Sequence, residues 1–195
     1  MYQLRHLIIG IVVILIVIFP YTKSLLESSM IGTMLVQIPL LVCSGYFIGK
    51  GLPSKWKNTV LYFNENGIAG ILVTLSVVTF WILPRSIDAA VNSPFMEVLK
   101  YTTLPLIAGV TLFYSWKLLG SISKAFIWGN GISMIFVMSW LYTASPVRLC
   151  NNYLVTAQQQ LGSALFIVGL VLCLSLVVRV FIPLQTVPVI KNKSS

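Results

Sequence analysis

The chain has 195 residues, 57% hydrophobic and 9% charged, with a mean hydropathy of +0.94. A soluble domain carries about 25% charged residues to solvate its surface, so an ordinary water-soluble globule is excluded. The net charge of +9 comes from basic residues dispersed over short connections with no folded basic surface behind them, which excludes nucleic acid as a partner.

Crossing a hydrocarbon layer of roughly 30 Å takes about 20 apolar residues per helix, and the chain divides into six such stretches. They run over Leu7–Tyr21, Met30–Ile48, Gly67–Leu83, Thr102–Leu119, Ala125–Tyr142 and Gly162–Ile182. A membrane β-barrel would show short alternating segments instead. The expectation is an all-α, polytopic membrane helix bundle: one domain over residues 1–183, followed by a short cytoplasmic tail over 184–195. The first stretch reads as a retained helix, because no small-residue cleavage pattern follows Phe19 and Pro20.

Two of the stretches hold an amide. Gln37 precedes Pro39, which removes a backbone donor and frees a carbonyl, so Gln37 repairs its own helix or crosses to a neighbour. Asn130 stands between Gly129 and Gly131, where small residues favour close helix approach. Packing and a solute path are both open for this intramembrane pair.

Six crossings place Arg5, Lys50, Lys55, Lys57, Lys117, Lys124, Arg179, Lys191 and Lys193 on one side, nine of the 13 basic residues. Lys23, Arg85, Lys100 and Arg148 fall on the other, with Glu27, Asp88 and Glu97. The positive-inside rule then puts both termini in the cytoplasm. Trp56 between Lys55 and Lys57 reads as a headgroup-level anchor.

Polar chemistry concentrates on the outer rim. In "LPRSIDAAVNSPFMEVLKY", Pro84 opens a short helix on which Arg85 and Asp88 are spaced to meet, with Asn92 beyond them. Ser93 reads as an N-cap before Pro94, starting a helix that carries Glu97 and feeds the fourth span, which Pro105 kinks. In "VRLCNNYLVTAQQQLG", Arg148, Asn151, Asn152, Gln159 and Gln160 offer many hydrogen-bonding groups at a low-dielectric boundary. Either these groups tie the outer loops together, for instance through Arg148 to Asp88 or Glu97, or they form a docking surface.

Thioether and thiol sulfur suit Cu(I), which makes Met30, Met34 and Cys150 candidate ligands near this rim and copper the one cofactor to weigh. Packing accounts for methionines at that spacing equally well. The lone histidine, His6, lies before the first span, which argues against a helix-held haem. No catalytic or phosphate-binding motif is present.

"MLVQIPLLVCSG", Met34–Gly45, and "LCNNYLVTAQQQLG", Leu149–Gly162, resemble segments of the CtaG-like polytopic proteins associated with cytochrome c oxidase assembly. The likeness rests on Gln37, Pro39, Leu40 and Leu41, then on Gln159, Gln160 and Gly162, about a sixth of the chain. The histidines attributed to copper handling in that family are replaced here by Met, Ser and Thr, so copper delivery does not carry over. The resemblance implies a small bundle working beside a respiratory or copper-dependent complex. The resulting expectation is a non-catalytic accessory or assembly subunit of a membrane oxidoreductase in the bacterial inner membrane, with membrane protein subunits as partners. The alternative is a small permease or carrier for a neutral solute or soft metal ion, its path lined by Gln37, Asn130 and the fourth span.

Overall fold

Two prolines set the outer boundary of the bundle. A residue before proline is pushed out of the helical region. Phe19 and Leu83 accordingly take extended backbone with ψ near 130° (131° and 133°), ending one helix while Pro20 and Pro84 open the next. The computed structural model describes residues 2–52 and 64–181. Helix α1 (Tyr2–Ile18) thus gives way to α2 (Pro20–Glu27) with a bend of 67°, and α4 (Ile68–Ile82) to α5 (Pro84–Asn92) with a bend of 70°.

The other two internal prolines widen their helices without breaking them. Pro39 cannot donate to the carbonyl one turn back, and the helix ahead of it, π1 (Gly32–Gln37), is wound wide, with Ile38 N–H reaching Thr33 O five residues away. Helix α3 (Ile38–Gly51) continues from it. Pro105 sits inside a second wide segment, π2 (Thr103–Gly109), between α6 (Pro94–Thr102) and α7 (Val110–Leu118), and Val110 N–H reaches back to Pro105 O. The expected kink at Pro105 is therefore a local change of winding. The last two helices, α8 (Ser121–Ala144) and α9 (Val155–Phe181), form a hairpin.

The architecture is an all-α bundle, with four helices among the described residues long and apolar enough to cross a membrane, and up to six if each bent pair is one span. Helix α3 is its axis, packed on α1, π2 and α7. Gly45 and Gly109 make the closest crossing: a Cβ at Gly45 would run into the carbonyl of Pro105, and one at Gly109 would lie 2.5 Å from Val42 O. The main core joins Val17, Ile38, Leu41, Trp81, Ala90, Tyr101 and Leu104. Helices α8 and α9 pack chiefly on each other. They meet the rest of the bundle at the outer end, where Tyr142 and Leu161 share a core with Met30, Met34 and Ile87.

The two basic groups of the sequence lie at opposite ends among the described residues. Lys23, Arg85, Lys100 and Arg148 belong to the end built from α2, α5, α6 and the 145–154 loop. Lys50, Lys117 and Lys124 lie at the termini of α3, α7 and α8 at the other end. The Lys55–Trp56–Lys57 segment and the tail from Leu184 fall outside the described residues.

Candidate functional site

At the outer end the structure buries a charged cluster between its two widened helices. Lys100 projects from the last turn of α6, just before π2, with 1% of its surface exposed. Its ammonium donates to Glu27 Oε1 at 2.9 Å and to Gln37 Oε1 at 3.0 Å. Gln37 closes π1 and is fully buried; its amide nitrogen donates to Tyr101 OH at 2.8 Å and to Glu27 Oε1 at 3.3 Å. Tyr101 OH points its own hydrogen at the same carboxylate oxygen, 3.5 Å away.

Glu27 ties this cluster to the outer loop. Tyr153 OH donates to the Glu27 carbonyl at 3.0 Å and lies 3.1 Å from Thr33 Oγ1. One turn earlier on α2, Lys23 pairs with Glu97 near the start of α6, a contact that raises the lysine pKa because the carboxylate stabilises its charged form. An open groove of about 550 Å³, lined by Pro20, Lys23, Ser24, Glu27 and Ser28, gives onto the cluster from outside. A buried lysine and carboxylate are retained only when paired and hydrogen-bonded, and wide helical turns recur at functional sites.

The rim residues form a second network with a different wiring from that expected. Asp88 is its centre, accepting from Asn151 N–H at 2.7 Å, from Asn152 N–H at 3.3 Å and from the Asn152 amide at 3.2 Å. Arg85 does not meet Asp88, and Arg148 reaches neither Asp88 nor Glu97. Both arginines are exposed and make no ion pair among the described residues, because the backbone of the 151–152 turn fills Asp88 and Lys23 occupies Glu97. Asn92, Gln159 and Gln160 are exposed as well.

The glutamine that fastens the loop is Gln158, buried to 2% exposure. It accepts from Leu149 N–H at 3.0 Å and donates to the carbonyls of Tyr142 and Val147 at 3.3 and 3.4 Å. Ser93 precedes Pro94 as expected but makes no side-chain cap; its carbonyl accepts from Glu97 N–H at 3.0 Å.

Met30, Met34 and Cys150 do converge, in one core with Ile87, Tyr142, Tyr153 and Leu161. The Cys150 thiol donates to Pro84 O at 3.7 Å, and burial, reinforced by the nearby Asp88 carboxylate, pushes its pKa up to about 12. No group of three or more His, Cys, Asp or Glu side chains is arranged for a metal among the described residues.

Of the two intramembrane amides, Gln37 crosses to α6 and serves the charged cluster. Asn130 faces outward on α8, exposed, with no hydrogen bond among the described residues. The close approach expected at its neighbours is missing, since a Cβ at Gly129 or Gly131 would meet nothing within 4 Å. The close approach falls at Gly45 and Gly109 instead, where α3 crosses π2.

Apolar helices of spanning length, proline-turned outer caps and a polar cluster buried between them define a multi-pass membrane protein. The chain matches the family described as "Protein of unknown function (DUF1404)" over residues 8–183, and it belongs to that family. Neither a curated protein nor a solved structure matches it.

Proposed function

We propose that this protein is a non-catalytic accessory or assembly subunit of a membrane-bound respiratory or copper-dependent oxidoreductase, docking by its helix faces and outer rim. The observation that carries the reading is the contrast between a rigidly fastened outer end and bare lateral faces. Asp88 and Tyr153 lock the 145–154 loop to α5 and α2, and Gln158 holds it to α9, while Arg85, Arg148, Asn92, Gln159 and Gln160 stay exposed around it. Such a surface offers charged and amide groups without costing the fold its own bonds. The partner class follows from the resemblance of Met34–Gly45 and Leu149–Gly162 to CtaG-like proteins, and the bacterial inner membrane from the same likeness. Copper, in this reading, belongs to the partner complex.

Purification in mild detergent followed by mass spectrometry tests it. Defined oxidase or monooxygenase subunits are expected to accompany the chain. A protein that stays solitary in every mild detergent overturns the reading.

The buried Lys100–Glu27 pair beside an open groove favours one second reading, a small carrier gated at the outer side. Its proposed path loses Asn130, which faces away from Gln37 on the outside of the hairpin. Reconstituted vesicles decide between the two: saturable uptake of a solute or metal that Lys100→Met abolishes supports the carrier, and absence of flux across a broad panel removes it.

A further inference from the structure

On α8, Phe126, Asn130, Ser133, Val137 and Trp140 are all exposed. Their spacing of four, three, four and three residues draws a single stripe along the helix, the seam geometry of a left-handed helix pair. The stripe lies opposite Ile132, Ser139 and Tyr142, the buried residues of α8. Gly129 flanks it with open space where a Cβ would stand, so a second backbone meets no obstruction on that side.

Asn130 makes this seam unlike an ordinary lipid-facing surface. At 1.5 Å per residue it lies about 14 Å along a helix of about 36 Å, near mid-bilayer. Neither its amide nor the Ser133 hydroxyl has a hydrogen bond among the described residues. Hydrocarbon offers such groups no partner.

We infer that this face of α8 is the interface of a parallel homodimer, in which Asn130 of one copy bonds Asn130 of the other across a two-fold axis along the membrane normal. The uneven split of the 13 basic residues fixes one orientation in the membrane. Any two copies therefore present residue 130 at the same depth. A carboxamide carries both donors and an acceptor, so a second Asn130 satisfies the first with no further requirement. A single asparagine in an apolar seam also fixes register and pair number. The pairing takes up one face of α8 and leaves the outer rim and the other helix faces to the assembly role.

Disulfide trapping in native membranes tests the inference on the full chain, with exposed Cys43 and Cys173 replaced by Ala and Cys150 kept. Ser133→Cys and Val137→Cys are each expected to give an oxidised band of twice the chain mass, and Val171→Cys on the exposed side of α9 none. In bilayer dilution measured by fluorescence transfer, Asn130→Leu weakens association by about tenfold, the scale of an intramembrane hydrogen bond, whereas Asn130→Gln retains it. Absence of the 133 and 137 adducts overturns the inference. So does an adduct of another mass, marking a different partner on the seam, or equal trapping through Val171→Cys, marking random collision. Asn130→Leu leaves partner co-purification intact, so failure of the assembly reading and failure of the dimer are told apart.

Discussion

Lys100 Nζ stands 2.9 Å from Glu27 Oε1, joining two short outer helices whose residues are 73 apart in sequence. The lysine side chain is 2% exposed and the glutamate 15%, so the ammonium is shielded from water while the carboxylate keeps an edge on the groove.

Removing one partner strands the other. Lys100→Met is expected to lower stability by about 3 kcal/mol, the scale for breaking a buried pair. Glu27→Gln in the same chain should recover part of that loss. Thermal unfolding of the single and double variants in detergent measures the coupling; additive losses would mean the pair contributes nothing of its own.

Asp88 and Arg148 should behave oppositely. Asp88→Ala deletes the acceptor of three N–H bonds and is expected to cost about 1–2 kcal/mol and to open the 145–154 loop to protease. Arg148→Ala, which breaks no bond among the described residues, should stay within about 0.5 kcal/mol of wild type. Loss of a co-purifying partner in Arg148→Ala without loss of stability would mark it as a docking residue.

Cys150 is 1% exposed and its pKa is pushed up to about 12. Maleimide at pH 8 is expected to leave Cys150 unlabelled in the folded protein and to label it once the chain is unfolded in denaturant. A thiol with a raised folded-state pKa holds its proton while the unfolded chain begins to lose it, so its contribution to stability falls as pH rises from about 9 towards 12. Cys150→Ser should show a shallower loss of stability over that window.

Gly45→Ala would press a methyl into the Pro105 carbonyl. Because the obstacle is backbone, little relaxation is open to it, and a loss of about 2–3 kcal/mol is expected, the upper range for overpacking. A matched Gly129→Ala faces open space and should leave the melting point unchanged.

Much of the fold could be read from the order of the residues. Hydropathy locates the apolar helices, the prolines at 84 and 94 mark where helices start, and charge asymmetry divides the ends. Hydropathy could not reveal that α1 stops at Ile18, because Phe19 is as apolar as its neighbours. The rim is legible as a region, but its wiring is not. Arginines beside acids suggest ion pairs, but a folded turn offered Asp88 two backbone N–H groups at no side-chain entropy cost. Nothing local announces that Lys100 and Tyr101 meet Glu27 and Gln37, because those contacts bridge 63 to 74 positions. The available signal is Gln37: an amide beside a proline inside a span needs partners, and Lys100 and Tyr101 directly precede the span that holds Pro105. Among three consecutive glutamines, Gln158 was legible only by helical phase, three residues before buried Leu161.

The proline breaks leave the molecule with unequal flanks. At 1.5 Å per residue, α1 and α4 reach about 26 and 22 Å before turning aside, whereas α8 and α9 extend for about 36 and 40 Å. A hydrocarbon slab of uniform thickness cannot match both. Lipids must compress beside the short pair, or the long hairpin must lean. Each remedy carries an elastic cost that shrinks when a neighbouring protein of suitable height covers the mismatched side, so membrane thickness itself becomes a selector of where this protein resides and what stands next to it.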